Sequence, residues 1–321
     1  MRRRVDLAIL GAALAGSFAT GVVGLLVSER HAGPVVWAHG AAGMVVIVLM
    51  WSKAGVIRRG LVRRRPQVAG SLVAAACAVG LLGFGLAHSV GVRDAGPLTA
   101  LGWHITFALL LVPLVVAHLA SRPALPRRGD LTRAALLRLA GVSAAAIAAK
   151  LAFDRVLGAP RAATGSLEQA RPAPTVWLDD SVQQLRASAW RLDVGGRRLS
   201  LADLARLPQH EWTCVLDCTS GWYARNRWRG VLVSDLPLAA RPGVASIEVR
   251  SATGYSRRFD PSLARGLMLA THLDGVPLGP GNGAPARLVA PGRRGFWWVK
   301  WVTAIAPSSQ PPWWQSPFPL R

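Results

Sequence analysis

At 321 residues the chain has room for two domains of ordinary size, and most of its long uncharged runs fall in the first 160 positions. Net charge is +22, carried by 35 arginines and only 3 lysines, a balance that first suggests nucleic acid or an anionic membrane surface. Residues 1–138 hold 16 basic against 4 acidic residues, nearly all in short loops between apolar runs, and residues 139–321 hold 22 against 12. Membrane topology accounts for that pattern, no recognised nucleic-acid module accompanies it, and nucleic-acid binding is not expected. The three cysteines, Cys77, Cys214 and Cys218, make no disulfide framework.

A membrane-spanning helix needs about 20 mostly apolar residues. Four runs qualify, at roughly 5–28, 34–52, 69–92 and 97–120. A fifth, Ala-rich and starting at Leu139, is interrupted by Lys150 and Asp154. The start of the chain, the 53–68 loop and the 121–138 loop together hold 14 basic residues, while the alternate loops hold only Arg30 and Arg93. The positive-inside rule then places the N-terminus in the cytoplasm. Five spans put everything after about residue 160 outside, and four leave it in the cytoplasm; the outside placement is the one adopted. The paired Arg127 and Arg128 ahead of the fifth run resemble a twin-arginine export signal, without its usual aromatic-leucine pair.

Polar residues inside spans are costly and usually partnered. His39, His88 and His104 lie at the start of span two, the end of span three and the start of span four, all facing one side of the membrane. Two histidines on facing helices are a way to hold a b-type haem. His104 and His118 lie 14 residues apart on one helix, about 21 Å along it. The position 14 after His39 is Lys53, so an inner layer lacks its second histidine. At most one haem is expected, on His39 and His104 with His88 as the alternative, beside the plainer reading of interfacial histidines hydrogen-bonded to loops.

Residues 158–175, rich in Pro, Gly and Ala, read as a linker. It separates a helical domain, 1–157, from a strand-rich α+β domain, 176–321. There only "SLADLARLP" reads clearly as a helix, N-capped by Ser200.

In the second domain three stretches concentrate Arg, Trp and Gly: "TCVLDCTSGWYARNRWRGVLVSDL" from Thr213, "VRSATGYSRRFD" from Val249, and "GVPLGPGNGAPARLVAPGRRGFWWVKWVTAI" from Gly275. Glycines let backbone approach a ligand, arginines bind phosphate or carboxylate in bidentate fashion, and a thiolate is a soft ligand for a transition metal. Together they ask for a large anionic cofactor carrying a metal.

From about residue 175 to 310 the chain resembles the molybdopterin domain of the sulfite oxidase fold family, which includes the periplasmic methionine sulfoxide reductases. Cys218 followed by Trp222 four residues on resembles the bacterial reductase branch, and "NGAPARLVAPGRRGFWWVKWV" matches the family's most specific signature. The resemblance implies that Cys218 ligates molybdenum and that Asn282, Arg287 and Lys300 hold the pterin. Trp222, Ser256, Arg257 and Arg294 are expected beside the cofactor, and Arg225 and Tyr255 are expected to join Cys218 in catalysis. For Cys214, a strand position is the alternative to ligation. For Arg293 and Arg294 it is a solvated turn, for Tyr255 to Arg257 a structural turn, and for Asp217 a core-capping carboxylate.

The implied reaction is two-electron oxygen-atom transfer on a small oxyanion or sulfoxide-type substrate, with the metal cycling between Mo(VI) and Mo(IV). Electrons pass through the membrane haem to or from quinone, in a multi-pass protein of the bacterial cytoplasmic membrane. Rival readings are an inert anchor served by a separate redox protein and a non-catalytic binding module. The "HPGG" signature of a cytochrome b5 domain is missing, and only 16 residues follow Ile305, too few for the dimerisation domain of the animal enzymes; sulfite is not the expected substrate.

Overall fold

A computed structural model of the chain describes residues 2–62, 68–121, 132–175, 181–238 and 243–316. The chain divides into two compact units, Met1–Leu167 and Glu168–Arg321.

The first unit is built from five long helices, α1 (Arg2–Leu26), α2 (Glu29–Val62), α3 (Val68–Ser89), α4 (Ala100–Ser121) and α5 (Arg133–Val156). A two-residue hairpin, β1 (Asp94–Ala95) and β2 (Leu98–Thr99), joins α3 to α4. All five helices contain a stretch long and apolar enough to cross a membrane, including the fifth. The charges that interrupt α5 are partnered: Lys150 pairs with Asp154 one turn on, and Arg161 reaches the same carboxylate at 3.4 Å. Thr132 starts α5 by accepting the Ala135 amide on its hydroxyl at 3.2 Å.

Helix α1 packs on α2, α3 on α4 and α5 on α2. Small residues let α3 and α4 approach closely. A Cβ on Gly80 would stand 2.8 Å from the Phe107 ring, and Phe107 stacks with Phe84 and Trp103.

Two expectations change here. Helix α2 starts at Glu29 and continues past the apolar run, because a helix does not stop where hydrophobicity does; His39 is therefore in its eleventh position, deeper than the start of a span. The 158–175 segment is not free. Ala159 N–H donates to Ser89 O at 3.0 Å and Arg161 to Ser89 Oγ at 3.2 Å in the first unit. In the second, Gln169 N–H donates to Tyr223 O at 2.9 Å and Asn226 Nδ2 to Ala170 O at 3.1 Å. Its Gly, Pro and Ala content signals irregular backbone, which the hydrogen bonds then fix. The twin-arginine positions lie outside the described residues.

The second unit carries two sheets around one core. In one, β10 (Met268–Leu273) lies between β11 (Val276–Pro277) and β7 (Trp222–Leu232), with β3 (Leu167–Glu168) on the far side of β7; β12 (Arg287–Val289) pairs with β10, and β6 (His210–Cys218) with β7. The other runs in the order β5 (Arg197–Leu199), β4 (Leu192–Val194), β13 (Val302–Ser308), β8 (Ser246–Ser251), β9 (Ser256–Phe259). Its parallel pair is β4 with β13. The expected helix is α6 (Leu201–Arg206): Ser200 and Asp203 cap it reciprocally.

Trp228, Val231, Leu269, Leu288, Ile247, Val249 and Ile305 from both sheets share the core. Strands β7 and β10 approach so closely at Gly230 that an added Cβ would meet the Leu269 carbonyl and stand 2.6 Å from Ala270 Cα. Backbone cannot rotate aside as a side chain can. Gly230→Ala should therefore destabilise the second unit by about 1–3 kcal/mol, read as a lower midpoint of denaturant unfolding followed by tryptophan fluorescence.

Candidate active site

Cys218 ends β6, and the β6–β7 register fixes which way its neighbours face. Cys218 pairs with Trp222, Leu216 with Ala224, Cys214 with Asn226 and Trp212 with Trp228, so these share one face of the hairpin. Val215 pairs with Arg225, Thr213 with Arg227 and Glu211 with Arg229 on the other. Arg225, Arg227 and Arg229 are exposed while Ala224, Asn226 and Trp228 are buried. The expectation that Arg225 stands with Cys218 is corrected by this alternation, since a period of two sends it to the opposite face. Cys214 shares Cys218's face but lies four strand residues away, about 13 Å, beyond disulfide reach; all three cysteines are free thiols. Burial pushes the Cys214 thiol up to about 11, against the opposing pull of Arg287 and Arg225, so it is a neutral strand residue.

Around Cys218 the chain folds back on itself. Ser220 Oγ donates to Cys218 Sγ at 3.1 Å. The turn Gly295–Trp297 lies against the end of β6; a Cβ on Gly295 would stand 3.0 Å from Cys218 Cα. Arg294 ion-pairs with Asp217 at 2.6 Å, both side chains almost fully buried, and its other amino group reaches Cys218 O at 3.4 Å. Arg294 thus braces the Cys218 end of β6 through Asp217, and neither is a solvated or merely capping group.

Two buried cations lie within electrostatic reach of the Cys218 sulfur. Arg287, 1% exposed, donates to Asn282 O at 3.2 Å and Trp298 O at 3.3 Å and lies against the Trp228 and Trp298 rings. Burial pulls its pKa down to about 10, with Cys218 and Cys214 opposing. Lys300 Nζ donates to Thr175 O and Gly281 O, both at 2.7 Å. Burial, then the Arg287 charge, pull it down to about 7, with Cys218 opposing. Gly283, at φ 97°, lets its loop sit on both residues, a Cβ there being 3.0 Å from each Cβ. Trp222 Nε1 donates to Thr175 Oγ1 at 3.1 Å, so the 173–175 segment links the Cys218 hairpin to Lys300.

Several buried polar atoms find no hydrogen-bond partner among the described residues: Asn282 Oδ1, Arg287 Nε, Arg294 Nε, Arg257 Nη2 and Trp228 Nε1. An unmatched acceptor on Asn282, and an unmatched cationic donor on Arg287 within electrostatic reach of the Cys218 thiol, suit an anionic, polar cofactor bearing a soft metal, so the residues present fit a metal-bearing pterin phosphate.

Tyr255 and Arg257 stand one step further out. The Tyr255 hydroxyl donates to Phe296 O, Arg257 Nε donates to that hydroxyl, and the guanidinium lies against the Tyr255, Phe296 and Trp297 rings. They hold the turn that touches Cys218. Burial raises the Tyr255 pKa, against Arg257. Ser256 pairs with Arg250 across β8 and β9. Arg293 lies over the Trp297 ring at 4.7 Å. The sequence did not point to Ser220 or Thr175, whereas the Gly-Phe-x-x-x-Lys turn of the signature begins at Gly295. Ser220's place two residues after the cysteine was an available signal; Thr175, in a stretch that reads as linker, carried none.

In the helical unit the His39 and His104 rings face each other edge-on, centroids 5.8 Å apart. His39 Nδ1 lies 2.8 Å from Ser17 O and His104 Nδ1 2.8 Å from Leu81 O. A carbonyl only accepts, so each Nδ1 carries the proton and each Nε2 keeps its lone pair. Glycines make room: a Cβ on Gly21 would be 3.2 Å from the His39 ring and one on Gly85 2.8 Å from the His104 ring. His88 Nε2 donates to Gly165 O at 3.0 Å, a loop contact rather than a facing pair, and His118 is exposed.

Residues 179–314 match the family profile described as "Oxidoreductase molybdopterin binding domain". The chain is similar to the protein-methionine-sulfoxide reductase catalytic subunit MsrP of Xanthomonas axonopodis pv. citri (strain 306), 29% identical over 150 residues, which are 39% of this chain and 47% of that protein. It is also similar to the mitochondrial sulfite oxidase of Rattus norvegicus, 27% identical over 170 residues, 40% of this chain and 31% of that one. Among solved structures it matches the sulfane dehydrogenase SoxCD of Paracoccus pantotrophus, at 24% identity and a TM-score of 0.38 over 40% of each chain. The chain thus spans less than half the length of these curated relatives. The second unit carries a molybdopterin-binding domain of the sulfite oxidase and MsrP type, the domain of molybdenum-dependent oxidoreductases.

Two outcomes follow. Asp217→Ala leaves the Arg294 charge buried without its partner and should destabilise the second unit by about 3–5 kcal/mol, read by denaturant unfolding. An anion bound beside Lys300 raises its depressed pKa, so binding takes up a proton above pH 7. Affinity of the cofactor-free protein for such an anion should then fall about tenfold per pH unit from 7 upward, a slope that titration calorimetry with inorganic phosphate or the pterin detects and that Lys300→Arg flattens.

Proposed function

We propose that the chain is a membrane-bound molybdopterin-dependent oxidoreductase catalysing two-electron oxygen-atom transfer on a small oxyanion or sulfoxide-type substrate. The observation that carries this is Cys218 at the end of β6 with two buried cations, Arg287 and Lys300, within electrostatic reach and unmatched polar atoms around them, all inside the matched segment.

When bound, the molybdenum centre supplies the oxygen-atom exchange with substrate and stores the two electrons. The chain supplies the placement. Cys218 Sγ is the protein ligand, oriented by the Ser220 hydroxyl and by the Asp217–Arg294 brace behind it. Arg287 and Lys300 balance the cofactor's negative charge in a region where water cannot, and the Asn282 side-chain carbonyl offers an acceptor to a pterin N–H. Trp222 walls the site and fixes Thr175. Tyr255 and Arg257 hold the turn against Cys218, with Ser256 beside them on β9.

One b-type haem would be held by His39 and His104, and it would supply single-electron exchange with quinone. The approach of the two rings to 5.8 Å between centroids, with each Nδ1 engaged by a backbone carbonyl and each Nε2 left as a donor atom for a metal, supports this. Donation of Nδ1–H to a backbone carbonyl is also the usual support for a ligating histidine. An odd number of spans, with the basic loops inside, places the molybdopterin domain outside the cytoplasmic membrane.

Elemental analysis and a reduced-minus-oxidised spectrum of the purified full chain test both parts. Near one molybdenum and one haem per chain are expected. Cys218→Ser should lose molybdenum and activity while keeping the haem spectrum, and His39→Ala or His104→Ala should lose the haem and leave molybdenum bound. Molybdenum without haem would reduce the helical unit to an anchor served by a separate redox protein, and neither would leave a non-catalytic module.

A further inference from the structure

The last described stretch of the chain is built as a platform. Ser246 Oγ donates to Gln310 O at 2.6 Å, and Trp314 N–H to Pro311 O at 3.0 Å. Arg258, on the edge strand β9, donates from its amide to Gln315 Oε1 at 2.9 Å and from its guanidinium to Trp314 O at 2.7 Å; Gln315 Nε2 returns a bond to Arg258 O at 2.9 Å. Arg257 reaches Ser316 O at 2.6 Å. Five side-chain bonds thus hold seven residues, 310–316, whose bulkiest members they do not bury: Trp313 is 77% and Trp314 64% exposed, rings edge-on at 5.9 Å. In the second unit the only other large exposed hydrophobic side chain among the described residues is Val276. A hydrogen-bonded backbone under a largely exposed aromatic pair presents it to something.

We propose that Trp313 and Trp314 are an interfacial anchor that seats the molybdopterin domain on the lipid headgroup region. The inference rests on reading the five helices as spans, which tether a bilayer to this domain at all times. Tryptophan prefers the membrane–water boundary because its ring is apolar and its N–H remains hydrated. Residues 168–321 hold 19 Lys and Arg against 11 Asp and Glu, a net +8 that favours an anionic surface. The anchor also shares a residue with the site's support: Arg257 holds Ser316 and, through Tyr255, the turn at Cys218. Seating the platform on lipid therefore fixes the side of the domain on which that turn lies.

The test uses the full chain, labelled with 5-fluorotryptophan and reconstituted in nanodiscs of phosphatidylcholine and phosphatidylglycerol. The Trp313 and Trp314 fluorine resonances are assigned by Trp313→Phe and Trp314→Phe. Lipid carrying a nitroxide at the 5-position of its chain should remove most of the intensity of both, while a water-soluble gadolinium chelate leaves them nearly unchanged; the buried Trp228 resonance should respond to neither. Resonances relaxed by gadolinium and not by nitroxide lipid would overturn the anchor, the tryptophans then being in water. Resonances protected from both would overturn it as well, because a protein surface would cover them. Failure of the chain to enter the discs would overturn the reading of the helices as spans and the anchor with it, whereas incorporation with water-exposed tryptophans would sink the anchor alone.

Discussion

The close approach of the 293–298 turn to the end of β6 is the constraint on which the second unit's chemistry depends. It exists because position 295 has no side chain and because Asp217 and Arg294 neutralise each other across the gap at 2.6 Å. A buried ion pair is a poor source of net stability, since desolving both partners offsets most of their attraction. Its effect is on specificity: with Asp217 next to Cys218 in sequence and Arg294 next to Gly295, the charges can meet only if turn and strand are in this register. Tyr255 and Arg257 fasten the same turn from the other sheet, so Cys218 is positioned from both sides of the core.

The second constraint is uncompensated positive charge. Arg287 and Lys300 are buried with carbonyl oxygens and aromatic faces as their partners, and with no carboxylate against either among the described residues. Carbonyl dipoles and ring faces soften such burial without cancelling it, which is why both groups titrate below their ordinary values. A core chosen for stability alone would hold apolar residues here. The same two positions become favourable once a polyanion lies beside them, so the cost of burying these charges and their affinity for an anion have one origin.

How far the sequence revealed this depends on the kind of signal. Apolar run length marked all five long helices, because crossing a bilayer demands such length; Lys150 and Asp154, which interrupt the fifth run, pair with each other in α5. It misplaced His39, since the start of an apolar run is not the start of a helix. Cys218, Asn282, Arg287 and Lys300 were singled out by the family resemblance, and Arg287 and Lys300 lie within electrostatic reach of Cys218. Arg225 was misjudged although the signal was present: Arg225, Arg227 and Arg229 alternate with Ala224, Asn226 and Trp228, and on a strand that alternation alone separates solvent from core. The roles of Thr175 and of the Asp217–Arg294 pair were not legible, because each depends on which distant segments the fold brings together.

The helical unit repeats the logic of the Cys218 turn. In an apolar interior an imidazole N–H must find an acceptor within the protein, and helix carbonyls already engaged one turn on can take a second bond. Ser17 O and Leu81 O take a second bond, from His39 and His104, where Gly21 and Gly85 leave the space for a ring to lie against the neighbouring helix. That arrangement fixes both tautomers and ring planes before any metal arrives, so the paired lone pairs are set by backbone. The backbone thus holds two imidazoles 5.8 Å apart, centroid to centroid, with their Nδ1 atoms already engaged.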